Sequence, residues 1–209
     1  MEPQFVWDAV SGRYRSVASG RFLSSSTAHG YVVDYSANVG KALRELTQQL
    51  RAGSLTVAEW QLSMAAEIKA AHLAAAMAAA GGKAQMTQAL YGAVGQRLRL
   101  EYQFLGKLAD GIANGTIPMD GRILARAEQY GRDARETYQR ILAREMTKRG
   151  ADEVRNIRHS SDSCPGCIDA EALGWVPLAQ MSYPGTRECR ANCLCSMEYR
   201  NSLTGQVAG

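Results

Sequence analysis

Apolar residues recur at helical spacing through most of this chain. Val39, Ala42, Leu43, Leu46 and Leu50 mark one face of a helix beginning near Asp34, and Gly53 is its natural stop. Thr56-Val57-Ala58-Glu59 matches a capping box, with Thr56 capping and Glu59 reaching back. Trp60, Met64, Ile68 and Leu73 carry the stripe of a second helix up to Gly81-Gly82. Its Ala-rich end lets a neighbouring backbone approach closely. Leu90, Val94, Leu98, Tyr102, Leu105 and Leu108 predict a third helix over about 86–113, weakened by Gly92, Gly95 and Gly106 and so open to a bend. Asn114-Gly115-Thr116-Ile117-Pro118 breaks the pattern. Asp120 then caps a fourth helix over about 121–149, whose stripe is Ile123, Ala127, Tyr130, Ala134, Tyr138, Ile141, Leu142 and Met146. Short connections make neighbours antiparallel, so residues 34–150 are expected to form a helical bundle.

The flanks have a different texture. Ser11-Gly12-Arg13-Tyr14-Arg15 and Ser19-Gly20-Arg21-Phe22-Leu23 read as a short duplicated turn and strand, and Ser24-Ser25-Ser26-Thr27 as a linker. Residues 1–33 are therefore expected to be an extended N-terminal arm. It either lies on a partner by adding a strand to an open sheet edge, or is a loose terminus or local hairpin. Residues 151–200 have many turn residues and few helical periods, and 201–209 read as a loose tail.

Composition narrows the picture a little. A hydrophobic fraction of 46% and a charged fraction of 21% are those of an ordinary globular chain. With only three Phe and three Trp, the core must come from Leu, Ala, Ile, Val, Met and Tyr. A net charge of +4 permits contact with nucleic acid or an acidic surface without demanding it. No basic leader with an apolar run opens the chain. The most apolar stretch, Met64 to Ala80, contains Glu67, Lys69 and His72, a poor membrane span. The expectation is a chain made in a reducing cytoplasm, with no membrane partner, whose thiols stay free for metal.

All five cysteines fall in the last quarter, as Cys164-Pro165-Gly166-Cys167 and then Cys189, Cys193 and Cys195. Two clusters separated by a loop can grip one Zn2+, which takes four ligands in a tetrahedron and favours thiolate in structural sites. Pro165-Gly166 suits a tight turn between two ligands, Pro fixing one dihedral and Gly allowing positive φ. The second cluster offers three candidates where two are needed. Disulfides, an iron–sulfur cluster and a redox Cys-x-x-Cys are the competing readings; the last lacks the βαβ context such motifs use. His159 is a possible replacement ligand, or a partner standing behind the ligands. An all-thiolate site is normally closed, so a zinc here is structural, not catalytic. Such binding contributes about 10–16 kcal/mol to folding in small zinc modules, which apolar burial in so short a segment does not match. Trp175, Val176, Leu178, Met181, Tyr183 and Tyr199 are the expected small core beside it. The predicted fold class is thus mainly α: an antiparallel bundle with a small C-terminal Cys-rich, zinc-stapled α+β module.

The fourth helix and its exit are rich in arginine: Arg122, Arg126, Arg132, Arg135, Arg140, Arg144 and Arg149. A basic face against DNA phosphates is one reading. Glu128 with Arg132 and Glu136 with Arg140 stand at pairing distance, so a solvated, internally paired face is the default. No phosphate loop, nucleophile elbow or H-E-x-x-H is present, and three scattered His point to no triad, so no enzyme is expected.

The run Ser161-Asp162-Ser163-Cys164-Pro165-Gly166-Cys167, then Gly174-Trp175-Val176-Pro177, Pro184-Gly185 and Asn192-Cys193-Leu194-Cys195-Ser196-Met197-Glu198-Tyr199, resembles the C-terminal signature of tailed-phage minor head proteins, the head morphogenesis proteins of the Mu F type. The likeness covers about 40 residues. The chain departs from the family's His-Pro-Asn-Cys-Arg-Cys element, with Arg190 and Ala191 at the His-Pro positions and Leu194 at the Arg. The lost His is replaceable by Cys189. The resemblance implies a low-copy virion protein. It would associate with the portal or the major capsid protein, act in head assembly and genome packaging, and work within a larger assembly; contact with packaged DNA is the minority reading of the arginine-rich helix. The alternative from another class is a nucleic-acid-binding zinc protein that uses the arginine-rich fourth helix.

Overall fold

Four polar side chains start the four long helices. Ser24 accepts from the Thr27 amide at the head of α1 (Ser25–Arg51). Thr56 and Glu59 form a reciprocal capping box on α2 (Val57–Ala80). Thr87 accepts from the Leu90 amide on α3 (Gln88–Ala113), and Asp120 from the Arg122 amide on α4 (Gly121–Lys148). Each side chain satisfies an amide that the first turn leaves without a partner. The computed structural model describes residues 3–208. In it α1 and α2 both pack extensively on α4, and α3 leans chiefly on α2. The α1–α4 approach is closest at Gly40 and Gly131, where a Cβ added to Gly131 would sit 2.4 Å from the Gly40 nitrogen.

Two expectations about the N-terminal region need correction. The Ser24–Thr27 run is a helix cap and first turn, not a linker, so α1 starts at Ser25 and takes in the last residues assigned to the arm. Residues before it do not extend away. The strands β1 (Phe5–Asp8), β2 (Arg13–Ser16) and β3 (Phe22–Leu23) form an antiparallel sheet in that order. The reason is aromatic burial. Phe5 and Tyr14 are 1% and 0% exposed and meet edge to face at 5.3 Å, and Trp7 meets Tyr14 at 5.1 Å. The sheet is tied to the bundle where the Trp7 amide donates to the Gly81 carbonyl at 2.8 Å. Gly81 ends α2 in the left-handed region at φ 94°, with Trp7 packed where a side chain would be. Residues 1–2 of the expected arm lie outside the described residues.

The third helix runs unbroken, and its one misassigned stripe position is Tyr102, which is exposed and donates its hydroxyl to the Ala65 carbonyl at 3.2 Å. Buried Trp60 donates to Thr47 at 3.1 Å, fixing α2 to α1.

After α4 the chain forms β4 (Glu153–Ile157), α5 (Pro165–Ala172), β5 (Val176–Pro177), β6 (Ser196–Arg200) and β7 (Val207–Ala208). The sheet order is β5-β4-β6-β7, antiparallel throughout, with Val154 opposite Tyr199 and Asn156 opposite Met197. This region has no apolar core of its own. Val154, Ala170, Met181, Met197 and Tyr199 belong to the same contiguous core as the bundle. Trp175, expected inside, is half-buried between the Arg155 and Arg200 guanidiniums at 4.9 and 4.4 Å. The expected loose tail carries β7, which pairs with β6; Gly209 lies outside the described residues. The molecule is mainly helical, with two small antiparallel sheets. Among the described residues no helix is long and apolar enough to cross a membrane.

Candidate metal centre

The five thiols converge. Cys164, Cys167 and Cys189 form one group whose sulfurs lie within 4.8 Å of one another, and Cys167, Cys193 and Cys195 form a second. Cys167 belongs to both. Its sulfur is 3.5 Å from that of Cys189 and 3.7 Å from that of Cys193. Four sulfurs at about 2.3 Å from one tetrahedral ion would stand about 3.8 Å apart, so the observed spacing fits a thiolate-bound metal ion. All five cysteines are free thiols in this structure.

Local structure explains the convergence. Cys164 is the N-cap of α5, and Pro165 occupies its first turn, where a missing amide costs nothing. The Cys-x-x-Cys is therefore the first turn of a helix, and not the tight turn with positive φ expected for Gly166. A Cβ at Gly166 would come within 2.6 Å of a Glu188 carboxylate oxygen, so a larger residue there would have to displace that exposed side chain. Opposite, Arg190 takes φ 45°, and a single 3-10 turn over Arg190–Asn192 brings Cys189 and Cys193 back to α5. Cys195 then leads into β6. The Cys-x-x-Cys does open a helix after a strand, but the sheet beside it is antiparallel, unlike the context of redox motifs.

Without a cation the cluster shares its charge unevenly. Hydrogen bonds from the Cys195 thiol, then backbone amides of Cys195 and Gly185, bring Cys193 down to about 5. Cys195 goes up because Cys193 holds the charge, and burial pushes Cys189 up. A bound cation would draw off those remaining protons.

Two buried guanidiniums flank the sulfurs, and composition gives no hint of either. Arg187, 8% exposed, donates to the Cys167 sulfur at 3.5 Å, to Asn156 Oδ1 at 2.9 Å and to the Ser182 carbonyl. Arg135 reaches in from α4. It donates to Ser36 Oγ at 2.7 Å, to the Val33 carbonyl at 3.3 Å and to the Cys193 carbonyl at 3.5 Å. Burial lowers Arg135 to about 10, and the Cys193 charge opposes that loss. Asn156 completes the frame, its amide donating to the Cys167 carbonyl at 3.3 Å.

His159 stands beside the cluster but in neither sulfur group. Its Nε2 is 2.7 Å from Ser196 Oγ, and its ring stacks on His29 at 5.6 Å. His29 is fixed as a neutral ring. Its Nε2 donates to the Leu194 carbonyl at 3.2 Å, its Nδ1 accepts from Gln139 at 3.4 Å, and burial holds it down to about 4. Through His29, Arg135 and Arg187 the cluster is tied to α1, α4 and β4.

The arginines of α4 are mostly engaged. Arg132 pairs with Glu128 and reaches Asn192, Arg140 meets Glu136 at 2.7 Å, and Arg122 meets Asp120 at 2.7 Å. Arg149 covers Trp7 at 3.9 Å and donates to the Ala80 carbonyl at 2.9 Å. Among the described residues, Arg126 and Arg144 of this set are exposed with no ion pair. No family model, curated protein or solved structure matches this chain.

Proposed function

We propose that this chain is a structural protein of a tailed-phage virion. In this reading it is a minor head protein that docks on the portal or the major capsid protein during head assembly, with its Cys-rich region closed by one structural Zn2+. The single observation behind the metal is charge. Four thiolates around a divalent ion carry −2, and Arg135 and Arg187 bring +2 to the same buried place. In the metal-free cluster Cys193 alone is drawn toward the charged form, and Asp34 and Glu188 act on Arg135 and Arg187 from outside it, so four thiolates around a divalent ion bring the two guanidiniums nearer to balance. Sulfur spacing gathers Cys164, Cys167 and Cys189 in one group and Cys167, Cys193 and Cys195 in another, and we take Cys193, 3.7 Å from Cys167, as the fourth ligand beside the first group. In that set Cys195 turns its backbone amide to the Cys193 sulfur. The zinc would supply cross-linking alone, because four thiolates leave no open position for a substrate. We read the chain as a docking protein, not an enzyme.

The virion half rests on the signature running from Ser161 to Tyr199, whose cysteines are those that converge. The nucleic-acid alternative is the weaker of the two, because most α4 arginines are spent inside the chain. Metal analysis of the purified full chain should give one zinc per chain, and a metal-free chain whose cysteine-bearing segments stay as protected from amide exchange as in the metal-loaded chain would refute the staple. Quantifying the chain in purified particles tests the virion assignment independently; its absence from particles and from their assembly intermediates would refute that half alone.

A further inference from the structure

We infer that copies of this chain associate head to tail, the outer face of α3 from one copy entering a groove between α1 and α2 of the next. The groove has a volume of about 590 Å³. On α1 it runs from Tyr31 to Ala42 and on α2 from Glu67 to Ala78, a span of eleven residue steps on each wall. At 1.5 Å per residue that is about 16 Å, three turns of a helix. Its α2 wall is alanine at Ala70, Ala74, Ala75 and Ala78, which lets another helix come close. The rim is acidic, Asp34 on one wall and Glu67 on the other, both exposed.

The complementary surface is on α3. That helix packs on α2 and barely on α4, so one side of it has no partner. Leu100 and Phe104, one turn apart, are 46% and 53% exposed there. Arg99 and Lys107 flank them, exposed and with no ion pair among the described residues. An apolar pair between two cations matches an apolar, alanine-walled groove between two carboxylates, as in helix-in-groove recognition. No α3 residue lines the groove, so a copy does not fill its own groove with its own α3. The contact joins two different surfaces and therefore propagates, closing as a ring or continuing as a chain. This goes beyond the virion reading and does not rest on it.

Sedimentation velocity on the zinc-loaded full chain across a concentration series tests the inference. The wild type should gain mass with concentration. Phe104→Asp, which spoils the face, and Ala70→Arg, which fills the groove, should each weaken association by at least about tenfold, the size of one buried anchor. Mixed in equal amounts, they should form a discrete heterodimer from the one intact face and the one intact groove. Glu67→Lys should likewise weaken association and Lys107→Glu restore it in the double variant. Circular dichroism confirms that each variant keeps its helices. A wild type that stays monomeric throughout would overturn the inference. So would association untouched by folded Phe104→Asp and Ala70→Arg chains, or a mixture that stays monomeric.

Discussion

Arg187 is the residue on which the proposed metal site makes its sharpest demand. Its guanidinium touches the sulfur shared by both cysteine groups and, through Asn156, the backbone of the same residue. A donor behind a ligand orients it and offsets its charge, and removing such partners typically costs 10–100-fold in metal affinity. Arg187→Met keeps length and burial but removes charge and donors. It should weaken zinc binding by at least about tenfold, measured by competition with a chromophoric chelator. Unchanged affinity would count against charge balance as the organising principle. The cysteines were legible in the sequence because two-residue spacing is itself the chemistry. Arg187 and Arg135 were not, since nothing in a linear run separates a buried arginine from the many on the surface.

At the scale of elements, glycine divides into two kinds. Gly92, Gly95 and Gly106 sit in α3 with nothing within 4 Å of an added Cβ. Gly95→Ala should therefore raise stability by about 0.5–1 kcal/mol in urea denaturation. Gly131→Ala should lower it by about 1–3 kcal/mol, because the new methyl meets the Gly40 backbone across the α1–α4 contact. The long helices were readable because apolar period and caps agree over many residues. The N-terminal sheet was not, because its strands of two to four residues are held by Phe5, Trp7 and Tyr14 meeting the bundle. The same logic separates the parts of the C-terminal region. β4 and β6 are anchored in the main core through Val154, Met197 and Tyr199, and Ala170 and Met181 join them there, whereas the stretches over 159–167 and 187–195 are gathered around sulfur. Chelation should therefore speed amide hydrogen exchange over 159–167 and 187–195 and leave β4, β6 and the four long helices protected. Uniform loss of protection would instead mean that the proposed metal supports the entire fold.

For the molecule as a whole, pH should reveal two opposed buried charges in the bundle. Glu101 of α3, 3% exposed, meets Arg97 at 2.8 Å, and the same guanidinium lies 3.3 Å from Glu136 of α4. One cation thus serves more than one carboxylate. Burial pushes Glu101 up to about 7 against the pull of Arg97, and pushes Asp133 up to about 6. A carboxyl raised in the folded state binds protons there that the unfolded chain has already released. Its contribution is complete below the unfolded value of 4.5 and lost as pH climbs through 7. His72 has the opposite sign. It is buried against Thr137 at 2.7 Å, and burial lowers it from 6.5 to about 3, so its contribution is complete above 6.5 and lost on acidification. Between pH 7 and 5 the two largely cancel, and the wild type should show a shallow profile. Glu101→Gln should remove one side. It should be more stable than the wild type at pH 8, by an amount on the order of 2 kcal/mol, and that advantage should vanish by pH 5. His72→Gln should do the reverse, gaining on the wild type as pH falls from 7 to 5. Urea denaturation at a series of pH values reads both. A Glu101→Gln difference that stays constant across the series would show that Arg97 keeps Glu101 ionised throughout, and that the ion pair outweighs the burial.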